Sequence, residues 1–419
     1  MRLLSLLPGR TAERRIIRSP ALSIASQAVG ALQLAMILWR SEGGSNATDT
    51  YFYLFGLGLL PSQILTVGVM YPLMINRQAS IGKKAAQRLA SFVPVLAVLV
   101  TATGVVWLAT TGRVTVDLVP LLTLSAFNSA LQSMIWSRGV AAESTGEPHW
   151  FAAVALPANT LAVIALLVPW RNENLALTAM LAALVVGNAG YLGFMVRQRI
   201  GSDAVSRLPE QSMGSQAAWW YMARAGTGYG GLAVLSSLAV ILPPGALTVL
   251  AVVTKLVGAV TSTFVNAVLP ALVHADTDSP FEARRFMRLT GVVLLVIGFS
   301  GVVATTFLLG NQTLLSVTVA TWLFAAATAA AAQRVAFRFL SANSSIVTLV
   351  VLPIVVLASV ATVAEGELNL TNLVAAQALV DAATAAFLLA ALRDKAMAIG
   401  ARTATAMLVA IWIASTVST

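Results

Sequence analysis

The chain of 419 residues contains no cysteine. That excludes a disulfide framework, a thiolate metal site and a thiol nucleophile. Histidine is almost as scarce: His149 and His274 are too few to build a metal centre from imidazoles. Charge is the third shortage, at 10% of residues against about 25% in an ordinary soluble domain. So few charges cannot coat a globule of this size. With 58% hydrophobic residues and a mean hydropathy of +0.84, the solvent for most of the surface must be lipid. No paired carboxylates, nucleophile–base arrangement or Walker loop is visible, so neither an enzyme nor an ATPase is expected, and no cofactor or metal is called for.

What is present is a series of long apolar runs. A membrane-crossing helix needs about 20 mostly apolar residues. Such helices are expected at roughly 19–40, 51–75, 88–110, 115–137, 149–170 and 175–196. A second series is expected at roughly 216–241, 246–273, 288–309, 313–333, 344–363 and 370–392. A shorter apolar stretch at roughly 403–417 reads either as a thirteenth span or as an interfacial helix. The predicted fold class is therefore an all-α integral membrane protein of 12–13 transmembrane helices, in two parallel six-helix halves around a central cavity.

The net charge of +10 follows the membrane rather than a nucleic-acid partner, because the bases are spread along the chain. With the N-terminus placed in the cytoplasm, 21 of the 26 Lys and Arg fall on the cytoplasmic side. Arg40, Arg113 and Arg171 fall outside, and Arg224 and Lys255 lie within spans. This asymmetry predicts a multi-pass protein of the inner (cytoplasmic) membrane with a cytoplasmic N-terminus. Residues 1–18, with Arg10, Arg14, Arg15 and Arg18, read as a basic arm on anionic headgroups.

The two series echo each other. Arg138 ends the fourth span and Arg334 the tenth, 196 positions later. Arg197 and Arg393 close the sixth and twelfth at the same offset, and Pro72 and Pro270 stand 198 apart. The expected halves are residues 19–200 and 214–395, followed by a tail at 396–419. Six spans per half gives parallel repeats, the plan of a transporter with its site between them.

Polar residues inside spans are the candidate site. Lys255, in TVLAVVTKLVGAVTSTFVNAV, stands nine residues after Ala246, about 14 Å into its span. A charge at that depth usually faces a bundle interior or a wet cavity, and Asp381 in span twelve is its candidate partner. Asp381 is also the candidate site for a coupling Na⁺ or H⁺. Arg224 lies about 12 Å inside span seven and could grip phosphate oxygens or snorkel to the surface. Arg138 and Arg334 read as ordinary positive-inside residues. Gln27, Gln33, Asn128, Asn188, Asn266 and Gln377 could contact sugar hydroxyls or bridge helices. The glycines of GTGYGG, Gly226–Gly231, would let span seven bend or a neighbour approach. Pro61, Pro72, Pro157, Pro270 and Pro353 are kink candidates.

The segment GSNATDTYFYLFGLGLLPSQ resembles the ATDAF-type stretch of lipid II flippases, of the multidrug/oligosaccharidyl-lipid/polysaccharide exporter superfamily. Ser26 to Gly30 in IASQAVGAL and the stretch PPGALTVLAVVTKLVGAVTSTFVNAVLPALV are similar too. The resemblance implies that Asp49 and Lys255 are the matching acid and base of a substrate site. Where those flippases carry arginines on the first two spans, this chain has Gln27 and Gln33, then Ser62 and Gln63. The implied function is flipping of a polyprenyl-diphosphate-linked saccharide between leaflets. Its implied partners are membrane lipids, Na⁺ or H⁺, and glycosyltransferases or polymerases that make and use the substrate. A cation-coupled exporter of small amphipathic compounds and a non-transporting scaffold of a cell-envelope assembly stay open beside it.

Overall fold

The computed structural model describes residues 10–41, 44–76, 80–212, 215–261, 281–309, 313–339 and 369–417. The expected span at 344–363, the far end of the eighth span, and Pro270, Asn266, His274 and Pro353 lie outside the described residues. The chain is an all-helical membrane protein: among the described residues ten helices are long and apolar enough to cross a bilayer, and there is no β-strand.

The first series begins with α1 (Arg10–Arg40). Its first turns take in residues 10–18, so that much of the expected separate arm is helical and continuous with span one. The second span is compound. It runs as α2 (Asn46–Pro61), a π-helical segment (Ser62–Met70) and α3 (Tyr71–Ile75). Then come α4 (Lys83–Thr110), α5 (Val119–Ser144), α6 (His149–Ala152), α7 (Leu156–Leu167), α8 (Glu173–Arg197) and the short α9 (Ser202–Ser206). The fifth span is thus broken into α6 and α7, and Pro157 serves as the first-turn proline of α7 rather than as a mid-helix kink. The second series comprises α10 (Ser215–Ala239), α11 (Ala246–Val260), α12 (Phe281–Leu309), α13 (Thr313–Phe339), α14 (Leu370–Ala391) and α15 (Lys395–Val417). Over Lys395–Ala414 the last helix is long and apolar enough to cross a bilayer, the property that the spanning alternative at the C-terminus requires.

Local chemistry sets the helix ends. Ser45 caps α2 in a reciprocal capping box with Thr48, and its hydroxyl also reaches Glu173 at the start of α8. Asn172 and Asn369 cap α8 and α14 through their side-chain oxygens. Several arginines close the carboxyl ends of other helices, where backbone carbonyls lack partners. Arg40 donates to the carbonyls of Leu166 and Val168, at 3.1 and 2.7 Å. Arg113 donates to those of Val240 and Leu242, at 3.0 and 2.6 Å, and so ties α4 to the end of α10.

The π segment opens directly after Pro61, and Pro72 follows it at the start of α3. Two prolines eleven positions apart remove two backbone donors from one span, and neighbouring side chains supply bonds there. Ser62 donates to Ser133 at 2.9 Å, and Thr66 lies 3.5 Å from Ser137. Both partners belong to a row on α5, Ser125, Ser129, Ser133 and Ser137, each of which also bonds the carbonyl four residues earlier. Asn188 of α8 donates to Asn128 at 2.8 Å, a helix-to-helix bridge.

Three spans are the most enclosed. Just over half of Asn46–Ile75 and of Thr313–Ala336 is buried, and 72% of Leu370–Ala391. The other seven are 28–44% buried, so α2–α3, α13 and α14 form the interior against which any polar cluster must be read. Close approach occurs at glycines other than those expected. A Cβ at Gly226, Gly228 or Gly230 would meet open space, whereas one at Gly68 would strike Ala225 of α10. The backbone of the π segment is therefore pressed against the Ala225 methyl of α10 at that point.

Candidate substrate and coupling site

The predicted site residues fall into separate groups. Asp49, in the first turn of α2, does not face open space. Its Oδ2 accepts the backbone N–H of Gly245 at 2.9 Å, and its Oδ1 accepts the Thr248 N–H at 2.9 Å and the Thr248 hydroxyl at 2.6 Å. Gly245 is the N-cap residue of α11, with φ at +94° and no side chain to cap with. Asp49 supplies that cap from 196 positions away in the sequence. It also sits at the positive ends of two helices at once, where a carboxylate is favoured. The expected substrate-facing acid is thus employed as a seam between the two series of helices.

Lys255 lies on α11 with its ammonium over two rings of α2, 5.0 Å from the centroid of Phe52 and 5.6 Å from that of Phe55. The expected ion pair with Asp381 is not formed. Among the described residues the ion pairs are Arg288–Asp394 and Arg334–Glu143. Asp381 instead accepts the indole N–H of Trp322 on α13 at 2.7 Å. Gln377, one turn earlier on α14, also bonds it.

Asp381 and Arg224 do share one neighbourhood. Tyr229 of α10 is an electrostatic neighbour of Arg224, Arg334 and Asp381 together. Arg224 is buried, with Tyr221 and Tyr229 on its own helix as polar neighbours, so the snorkelling reading is displaced by an interior one. Tyr221 in turn accepts from Asn76 at 3.0 Å, just beyond α3.

Arg334 corrects a reading. Expected to be a surface base, it is 9% exposed and bonds Glu143 of α5, itself 1% exposed, at 2.8 Å. Its guanidinium lies 4.3 Å from the ring centroid of Tyr71 on α3. This ion pair crosses between the two series at the end opposite Asp49. The sequence reading missed Glu143 because span four was closed at residue 137. An acid in SRGVAAES, five residues after Arg138 on a base-rich face, was the available signal. Arg138 keeps the expected end-of-span role, donating to the Ile200 carbonyl at 3.3 Å.

The two glutamines stand apart from this cluster. Gln33 is buried on α1 with its amide 3.5 Å from the Met180 sulfur of α8. Gln27, two turns earlier, is half-buried on the same helix. Arg224 and Asp381 therefore share Tyr229 as a neighbour, Lys255 stands against the aromatic face of α2, and Gln27 and Gln33 stay in the first series.

No family model matches the chain, and no curated protein matches it. Solved structures do. The chain is similar to the eukaryotic MATE transporter AtDTX14, with a TM-score of 0.52 at 12% identity, over 95% of this chain and 99% of that one. It is also similar to a point mutant of the Vibrio cholerae MATE transporter VcmN, with a TM-score of 0.50 at 11% identity, over 93% and 99% of the two chains. The class defined is that of multi-pass helical membrane proteins sharing the MATE transporter fold.

Proposed function

We propose that the protein is an alternating-access membrane transporter of the multidrug/oligosaccharidyl-lipid/polysaccharide exporter superfamily, and that it exports small amphipathic compounds against a cation gradient. The observation that carries this reading is the fold it shares with MATE transporters over nearly its whole length. Two seams between the series support it: the Asp49 cap on α11 at one end and the Glu143–Arg334 pair at the other. Transport needs each of these to open in turn while the other holds. Asp381 is the proposed coupling site, an enclosed carboxylate that joins no ion pair among the described residues. Phe52 and Phe55 already hold one ammonium, and the same rings suit an amphipathic cationic cargo.

A second reading, flipping of a polyprenyl-diphosphate-linked saccharide, is favoured by one observation. Lys255 is a base deep in the bundle with no carboxylate within 4.0 Å among the described residues, as an anionic headgroup would require. Proteoliposomes separate the two. The first reading expects uptake of a lipophilic cation dye driven by an imposed Na⁺ or H⁺ gradient, and its loss in Asp381→Asn. Gradient-independent scrambling of a fluorescent polyprenyl-diphosphate saccharide, with no dye movement, would overturn it in favour of the second.

A further inference from the structure

The base-rich end of the bundle holds a cavity that the transport reading does not use. It has a volume of about 510 Å³ and lies between the start of α4 and the chain that joins the two series. Lys84, Arg88, Leu89, Phe92, Glu210 and Ser212 line it. The joining chain is bound to the helix start by backbone. The Lys83 N–H donates to the Pro209 carbonyl at 2.8 Å, and the Gly82 N–H donates to the Ser212 hydroxyl at 2.8 Å. A Cβ on Gly82 would come within 2.8 Å of the Ser212 nitrogen, so the wall of the cavity is pressed against the helix.

The charges here are placed against the helix dipole. The first turn of α4 carries Lys83 and Lys84 and no acid, although the amino end of a helix disfavours cations. α12 also starts with bases, but two of its three arginines are taken up by protein: Arg288 pairs with Asp394 at 3.0 Å, and Arg284 donates to the Leu392 carbonyl at 2.7 Å. Lys84 and Arg88 are exposed and form no ion pair among the described residues. Below them the same helix face turns apolar. Positions 84, 88, 92, 95 and 99 follow helical spacing, and Phe92, Val95 and Leu99 are each more than half exposed. From Arg88 to Leu99 is about 16 Å along the axis, close to the roughly 15 Å of hydrocarbon in one leaflet.

We propose that this groove binds one anionic phospholipid, its phosphate on Lys84 and Arg88 within the cavity and an acyl chain along Phe92, Val95 and Leu99. A basic pocket capping an apolar track matches the two ends of such a lipid, whereas a free anion would use only the first. Glu210, on the rim, opposes the headgroup and sets an upper bound on its affinity.

The test uses the full chain in a neutral detergent, titrated with dioleoylphosphatidylglycerol and followed by native mass spectrometry. Dioleoylphosphatidylcholine and glycerol 3-phosphate form the other two arms. One saturable phosphatidylglycerol is expected, with neither comparison compound competing. Lys84→Gln with Arg88→Gln should weaken it by about thirtyfold, Phe92→Ser should weaken it several-fold, and Arg285→Gln on α12 should leave it unchanged. Glu210→Gln should tighten it, and this variant decides the matter if the double substitution fails to fold. Equal binding of the two lipids, unchanged affinity in the double variant or in Glu210→Gln, or equally tight binding of glycerol 3-phosphate would each overturn the proposal.

Discussion

Arg334→Met isolates the pair that closes the base-rich end. It removes the guanidinium 2.8 Å from Glu143 and strands a carboxylate that is 1% exposed. Loss of one member of such a buried pair costs about 3–5 kcal/mol, because the other charge keeps its desolvation penalty. Glu143 and Arg334 belong to different series of helices, so the cost falls only on the arrangement in which the two meet. A tenfold population change corresponds to about 1.4 kcal/mol, so the closed arrangement should lose roughly two to three and a half decades. The absence of cysteine makes the assay clean. Spin labels at Ser206→Cys and Ala396→Cys, both at this end, report the separation of the series by pulsed electron resonance. Arg334→Met should lengthen the distance distribution. Adding Glu143→Gln should restore it, since no uncompensated charge then remains. A single variant with the parent's distances, or a double variant no better than the single, refutes the reasoning.

Three further outcomes follow from the same geometry. Asp49→Ala strips three hydrogen bonds from the start of α11 and should lower stability by about 1–2 kcal/mol in thermal unfolding, with Thr248→Val falling between it and the parent; equal melting temperatures for all three would remove the cap from the account. Lys255→Met separates the cargo readings: the exporter should still move a lipophilic cation, because Phe52 and Phe55 remain, while a saccharide flippase should lose transport. If α15, long and apolar enough to cross, is a span, reporters fused after Arg338 and at Thr419 should read on opposite sides, cytoplasmic and external, and the same side for both would sink that topology.

The spans were legible because lipid imposes one simple demand, a long apolar run, on every crossing helix. Eleven of the thirteen expected stretches are largely helical, some in two or three segments, and the exceptions fall wholly or partly outside the described residues. The site was legible only in its composition. Lys255, Arg224 and Asp381 announce themselves as charges amid apolar neighbours, but nothing in the sequence says which of them meet. Trp322 rather than Lys255 reaches Asp381, 59 positions away, and Arg334 finds Glu143 at a separation of 191. Asp49 was picked out by resemblance, and its role depends on Gly245 lacking a side chain at a helix start. The π segment had no sequence signal beyond its flanking prolines, which more often give a kink.

The second span has one further consequence. Asp49 stands on its first turn and Tyr71 begins its last, so the bonds at both faces of the bundle hang from a single rod whose middle is wound more loosely than its ends. Rewinding that middle from π to α would turn one end against the other like the two handles of a twisted cord. The two faces would then need no messenger between them. On that geometry, a release at one face would itself act as a torque on the other.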